Sequence, residues 1–292
     1  MMPDYHIGSL DESSRRALAE GEPAVESSEP RPVFLDGRAW KKSILTTKTN
    51  VSWDTRVFSF KLEHNEQSLG LPTGQHLMIR LKDPVTRESI IRSYTPISET
   101  SKKGFCDVLI KIYADSKERV GGKMTKALDA IPEGHFVEMK GPIGKFEYVG
   151  KGNCTINGKP KKVKRFFMVC GGSGITPIFQ VLRAVMQDRD DPTTCVVLDG
   201  NRLVEDILCK DDLDGFARDN PDRCKLLFTL TKGPEDWSGL RGRIGAPLLK
   251  EHCVRGNDGE SLVLVCGPEP LEKATHSALL EQGWKDEELL FF

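Results

Sequence analysis

The residues best placed to do chemistry lie in Cys170-Gly171-Gly172-Ser173-Gly174-Ile175-Thr176-Pro177. Glycines let a backbone come close to a ligand, and the free amides and dipole at a helix start favour a phosphate. Thr176 suits an N-cap, and Pro177 suits the first helical position because its missing amide hydrogen would be unpaired there. The stretch is not the dinucleotide fingerprint G-x-G-x-x-G, since Pro177 takes the third glycine's place. Taken alone it reads equally well as a tight turn with no ligand. Three other stretches have suitable residue types. Arg92-Ser93-Tyr94-Thr95 sets a guanidinium fork beside a phenol and a hydroxyl. Gly122-Lys123-Met124-Thr125 puts backbone amides at a second helix start. Cys266-Gly267-Pro268 carries a thiol in a glycine turn; nucleophilic catalysis by Cys266 would need a His or Asp partner motif, and none accompanies it.

These residues need elements to hold them. Phe166-Phe167-Met168-Val169 reads as a buried strand leading into the first turn, and Ile178, Val181, Leu182, Val185 and Met186 fall on one helical face after it. From Arg165 onward strands (Phe166–Cys170, Cys195–Leu198, Lys225–Leu230, Leu262–Cys266, Leu289–Phe292) alternate with helices (Pro177–Gln187, Glu205–Phe216, Ala246–His252, Pro270–Gln282). This βαβ series predicts a parallel sheet, whose ligands bind at the carboxyl ends of its strands. Cys170-Gly171-Gly172 and Cys266-Gly267-Pro268 both sit at such ends and would line one crevice. From Trp40 to about Tyr148 the period is two instead. Phe58, Phe60 and Leu62 alternate with Ser59 and Lys61, and Val108, Ile110 and Ile112 with Leu109, Lys111 and Tyr113. Further runs at His76–Leu81, Ile90–Thr95 and Phe136–Lys140, separated by Pro72-Thr73-Gly74 and Pro132-Glu133-Gly134, predict an antiparallel barrel. One helix interrupts it, from Gly121-Gly122 to about Ala130. Residues 150–164 read as a Gly- and Lys-rich hairpin or loop with a solvated, charged face. Asp11 to Glu29 has linker composition, while Tyr5, Ile7 and Leu10 read as the end of something packed, as if the chain were a fragment.

Length and composition set the outer bounds. The 292 residues suffice for two domains with cores of their own. Charged residues are 29% of the chain and nearly balance, for a formal net charge of -1, with no basic stripe interleaved with aromatics to suggest nucleic acid. No apolar run approaches the roughly 20 residues of a membrane helix, and the N-terminus lacks an apolar signal core, so no membrane partner is expected. The eight cysteines are scattered without a C-x-x-C, and the six histidines form no cluster with them. Reduced thiols in a cytoplasmic protein are expected, and no residue is expected to hold a metal.

In this order over residues 40–292, Arg92-Ser93-Tyr94-Thr95, Gly122-Lys123-Met124-Thr125, Gly172-Ser173-Gly174-Ile175-Thr176-Pro177 and Cys266-Gly267-Pro268 resemble the ferredoxin reductase-like flavoproteins, in particular their cytochrome b reductase branch. Pro3-Asp4-Tyr5-His6-Ile7-Gly8 resembles the end of the haem domain that precedes this module in eukaryotic nitrate reductases. Asn201-Arg202, Glu205-Asp206-Ile207-Leu208 and Phe291-Phe292 are also similar to that family, and Cys266-Gly267-Pro268-Glu269 to its fungal members. The resemblance implies an FAD-binding Greek-key β-barrel over 38–149 and an NAD(P)H-binding α/β domain with a parallel sheet over 165–292. Residues 150–164 would be a connecting loop, 11–37 a flexible linker, and 1–10 the tail of a preceding haem domain. Arg92, with Ser93 beside it, would then hold the flavin pyrophosphate; Tyr94 would cover the ribityl chain and ring edge, and Thr95 would bond the ring. Gly122, Lys123, Met124 and Thr125 would lie under the same pyrophosphate. His76 is a further flavin candidate, equally readable as a barrel histidine. Lys111, with Tyr113 on its strand face, would contact the nicotinamide dinucleotide, whose ring and pyrophosphate would meet Gly172, Ser173, Gly174, Thr176 and Pro177. Cys266, with Gly267 and Pro268, would sit where hydride leaves the nicotinamide. Cys266, Lys111 and Thr95 are the expected catalytic residues.

Thr229-Leu230-Thr231-Lys232 ends the third strand of the α/β half, where the adenosine ribose lies if the fold is as implied. NADH-specific members of the family generally carry an acid at the position of Thr231, and that carboxylate would repel a 2′-phosphate. A neutral Thr231 with Lys232 and Arg202 nearby implies NADPH as the preferred donor and NADH as a weaker one. The implied activity passes a hydride from NADPH to FAD. Single electrons then go to a haem domain of the same polypeptide or a cytochrome b-type protein, with a molybdenum cofactor reducing nitrate beyond it. Neither haem nor molybdenum ligands are visible in these residues. A free-standing NAD(P)H-cytochrome b reductase and a nucleotide-binding sensor without turnover stay open as alternatives. Any homodimer is expected to form through regions outside these residues.

Overall fold

Alternating apolar residues build the first half. In the computed structural model, which describes residues 33–83, 86–115, 120–256 and 259–292, six strands form one antiparallel sheet. They are β1 (Lys41–Asn50), β2 (Thr55–Lys61), β3 (His76–Lys82), β4 (Ser89–Tyr94), β5 (Phe105–Lys111) and β6 (Phe136–Ile143), in the order β4-β3-β6-β1-β2-β5. The inward set includes Leu45, Phe58, Phe60, Leu77, Ile79, Val108, Val137 and Met139, all buried in one core. Alternating burial on β2, β3 and β6 lines that core as the sequence predicts, whereas β4 buries only Ile90, and β5 buries Leu109 on its opposite face as well, against the second half of the chain. Helix α1 (Lys123–Ala130) buries Met124, Ala127 and Leu128 against β3 and β4. The core also takes Phe34 and Leu35, whose amides donate to the carbonyls of Ser68 and Leu69 at 2.9 and 3.0 Å. The linker expected over 11–37 therefore ends in a segment packed into the barrel. The expectations for residues 1–32 lie outside the described residues.

The stretch expected as a hairpin or loop is a hairpin, and it extends a strand. β7 (Phe146–Gly150), β8 (Asn153–Ile156) and β9 (Lys159–Lys162) form a separate three-stranded antiparallel sheet. Asn157 and Gly158, with φ of 51° and 73°, make the turn, the pair of left-handed residues a two-residue hairpin needs.

The second half is wholly parallel. β10 (Arg165–Gly171), β11 (Thr194–Asn201), β12 (Cys224–Leu230), β13 (Leu240–Arg241), β14 (Ser261–Cys266) and β15 (Leu289–Phe291) run in the order β13-β12-β11-β10-β14-β15. Chain order reverses between β10 and β14, which makes their carboxyl ends the switch point where such sheets bind ligands. The helices are α2 (Ile175–Gln187), α3 (Lys210–Asp219), α4 (Ala246–His252) and α5 (Glu269–Glu281).

The expectations for two helices also need correction. The helix expected over Glu205–Phe216 is a short turn at Val204–Asp206 followed by α3 from Lys210, because Cys209 adopts a left-handed φ of 54° that no helix continues through. The helix α2, expected to bury one face, is buried nearly all round. Its second face is covered by the barrel: Gln180 Oε1 accepts from the Gly74 amide at 2.6 Å, and Arg183 donates to the carbonyls of Ile97 and Ser98 at 2.5 and 2.6 Å. Phe146 of β7 adds an edge-to-face contact with Phe166 of β10 at 6.3 Å. One apolar cluster thus spans Leu109, Phe146 and Tyr148 on one side and β10, α2 and β14 on the other.

Candidate functional site

At the switch point the two glycine turns are pressed together. Cys170 and Cys266 are register partners across β10 and β14, so the turns that follow them leave the sheet side by side. A Cβ on Gly174 would stand 2.2 Å from the Cys266 carbonyl oxygen, too close for any other residue. Gly172 differs: its φ is +55° and nothing lies within 4 Å of where its Cβ would be, so the backbone there faces open space. Gly172–Gly174 form a single tight turn, and α2 begins at Ile175. Thr176, expected as the N-cap, lies inside α2 with Pro177, and its hydroxyl donates to the Ser173 carbonyl at 3.2 Å. The earlier start follows from the tight turn, which feeds the helix directly. Open backbone at a helix start is the cradle a dinucleotide phosphate requires, and these residues fit it. Burial, and then Glu272, push the half-buried Cys266 thiol up to about 12, which favours its protonated form. Gly267 donates its amide to Glu272 Oε1 at 3.3 Å, and Pro268 precedes α5.

The barrel supplies the facing wall. Arg92 and Ser93 are exposed on the edge strand β4, Tyr94 is half-buried, and Thr95 just beyond is buried. Burial raises the Tyr94 phenol, with Tyr113 close enough to add to the shift. α1 packs on β4, which sets the Gly122–Thr125 helix start near that strand. The start is fixed by Gly122, whose amide donates to the Tyr113 carbonyl at 2.8 Å, and by Thr125, whose hydroxyl accepts from the Tyr113 amide at 3.2 Å. Lys123 is exposed and Met124 buried. His76 opens β3 opposite Ile143, and burial holds its pKa below the usual imidazole value. The Tyr113 hydroxyl lies 3.4 Å from Ser173 Oγ, joining barrel to glycine turn.

Lys111 ends β5 and is held by two carboxylates, Asp54 at 3.0 Å and Asp206 at 2.8 Å. Burial pulls its pKa down, but the hydrogen bonds to Asp206 and Asp54 outweigh it, so the ammonium is kept. At the far end of the crevice the Thr231 amide donates to the Asn201 carbonyl at 3.1 Å, and the Lys232 amide to the Arg202 carbonyl at 2.8 Å. Arg202, Thr231 and Lys232 thus stand together, all exposed.

Sequence reasoning missed three groups here. Asp54 and Asp206 carried no local signal for pairing with Lys111, because the partners lie far apart in the chain. Asp199 on β11 is 1% exposed, accepts from Asn201 Nδ2 at 2.8 Å and from the Cys170 thiol at 3.4 Å, and burial pushes its pKa up to about 7. A lone acid between Leu198 and Gly200 in an apolar strand was the available sign.

Known protein families match each half of the chain. Residues 42–148 match the family described as "Oxidoreductase FAD-binding domain" and residues 168–277 the family described as "Oxidoreductase NAD-binding domain". The chain is 62% identical, over its whole length and 33% of that protein, to a nitrate reductase [NADPH] of Leptosphaeria maculans. It is 37% identical, over 93% of the chain and 31% of that protein, to nitrate reductase [NADH] 2 of Arabidopsis thaliana. It spans about a third of the length of these curated relatives. The crystal structure of the cytochrome b5 reductase domain of Ulva prolifera nitrate reductase superposes with a TM-score of 0.84 and 35% identity, covering 89% of this chain and all of that one.

Proposed function

We propose that this chain, which belongs to the cytochrome b5 reductase domains of nitrate reductases, takes hydride from NADPH into FAD and delivers electrons to a haem domain, as the reductase part of an assimilatory, cytoplasmic nitrate reductase. FAD, when bound, supplies the exchange of one two-electron input for two one-electron outputs. The residues supply binding and placement. Arg92 and the amides at Gly122–Thr125 hold the flavin pyrophosphate, Tyr94 lies along the ribityl chain, and the Thr95 hydroxyl orients the ring edge. Gly172, Ser173 and Gly174 at the start of α2 take the nicotinamide pyrophosphate. The Cys266 thiol, kept protonated, sets the position of the nicotinamide ring. Arg202 and Lys232 favour a 2′-phosphate, and neutral Thr231 does not repel it.

The observation that supports this reading best is the contact of Tyr113 with Ser173, which sets the barrel wall against the open glycine turn at the switch point. The test is direct. Purified chain carries FAD, reduces ferricyanide with NADPH, and forms no nitrite. Arg92→Ala loses flavin while keeping its circular dichroism, since it removes charge-assisted bonds to phosphate. A colourless chain with full activity, or nitrite formation, would sink the reading.

A further inference from the structure

Asp206 belongs to the short turn that follows Arg202. Its Oδ2 accepts from the Leu203 amide at 3.1 Å while its own amide donates to the Leu203 carbonyl at 3.2 Å, a reciprocal pair that fixes residues 203–206. The other oxygen, Oδ1, accepts from Lys111 Nζ at 2.8 Å, and Lys111 also donates to Asp54 at 3.0 Å. Lys111 ends β5 and Asp54 immediately precedes β2, so both belong to the barrel, whereas Asp206 lies between β11 and α3. The side chains of Lys111, Asp54 and Asp206 are only 18, 7 and 12% exposed, so water screens them far less than it screens a surface pair.

The same turn is stitched on its other side to the end of β12, through the bonds from Thr231 to Asn201 and from Lys232 to Arg202 at 3.1 and 2.8 Å. A continuous chain of contacts therefore runs from the barrel, through Lys111 and Asp206, to the two exposed cations. Its charge decides its role. Two carboxylates and one ammonium sum to one net negative charge, so the cluster itself offers a phosphate no attraction. What it contributes is placement.

We propose that Asp206 is a positioning residue for the donor's 2′-phosphate: anchored to the barrel by Lys111, it holds the 202–206 turn so that Arg202 stands beside Lys232. This rests on the NADPH reading above. Lys111 then serves the nucleotide through Asp206.

The test measures calorimetric binding of 2′,5′-ADP and of 5′-AMP, which differ by the 2′-phosphate, to the FAD-loaded chain. Asp206→Ala is expected to weaken 2′,5′-ADP about tenfold, the scale of one lost bond to a charged group. Binding of 5′-AMP should stay within about twofold, and the flavin spectrum should be unchanged. In an Arg202→Ala background the same substitution should have no further effect, and Lys111→Met combined with Asp206→Ala should be no weaker than the worse single variant. Asp206→Asn, which keeps an acceptor for Leu203 but loses the charge, should fall between wild type and Asp206→Ala. Equal binding of the two ligands by wild type overturns the NADPH reading and the proposal with it. A wild-type preference that survives in Asp206→Ala, an equal loss for both ligands, or additive losses with Arg202→Ala overturns the proposal alone.

Discussion

The two ends of the crevice are built on opposite principles. At the β10–β14 end the walls are glycine backbone and thiols, pressed so closely that a Cβ on Gly174 would meet the Cys266 carbonyl at 2.2 Å. At the β11–β12 end Arg202, Thr231 and Lys232 are exposed, and Arg202 and Lys232 offer charge beside a neutral hydroxyl. Close packing fixes position and tolerates almost no change. Exposed charge fixes preference and is graded, screened and easily altered. A substitution at the first end should therefore appear in the rate of hydride transfer, and one at the second in the choice of nucleotide.

The largest effect is expected at the packed end. Cys266→Ser should slow reduction of the flavin by NADPH by about a hundredfold, the cost of misplacing reacting atoms by about 1 Å, while flavin content stays intact. Stopped-flow traces at the wild-type rate would show that shape at this end matters less than the contrast claims. At the charged end, Thr231→Asp should move the ratio of kcat/KM for NADPH over NADH about tenfold toward NADH, through weaker NADPH binding with little change in NADH turnover. An unaltered ratio, or a loss shared by both donors, would erase the difference between the two ends.

The smallest effect sharpens the contrast from beneath. Asp199 lies under the packed end, and burial raises its pKa from 3.8 to about 7. The folded state then holds a proton the unfolded chain has released. That contribution is fully present below the unfolded pKa and is lost as the pH rises through about 7. Asp199→Asn, which mimics the protonated acid, should flatten the fall in Tm between about pH 4 and pH 7 by a few degrees. Identical Tm profiles for variant and wild type would mean that this carboxyl is ionised in the fold, and that the packed end holds a charge after all.

The packed end was legible in the sequence because its signals are local. Glycine turns after apolar runs announce themselves within ten residues, and the period-two runs around Phe58 and Val108 and the βαβ series after Arg165 needed no distant partner. The corrections arise where distant residues meet. Nothing near Lys111 forecasts that its ammonium is shared by Asp54 and Asp206, 57 and 95 positions away. The two-sided burial of α2 was equally hidden: Gln180 and Arg183 lie off the apolar face named from the sequence, and only the fold brings the barrel backbone to accept from Arg183 and donate to Gln180. Cys209 broke the expected helix through a backbone conformation that its side chain does not advertise.

That two-sided burial has a consequence for synthesis. The barrel leaves the ribosome before α2 does, and the carbonyls of Ile97 and Ser98 and the amide of Gly74 must wait for Arg183 and Gln180. At translation speeds of about 5–20 residues per second, the surface that later holds the helix stands wet for several seconds. A nascent chain stalled before Ile175 would present an uncovered apolar wall at Phe146 and Leu109, a natural target for a holding chaperone.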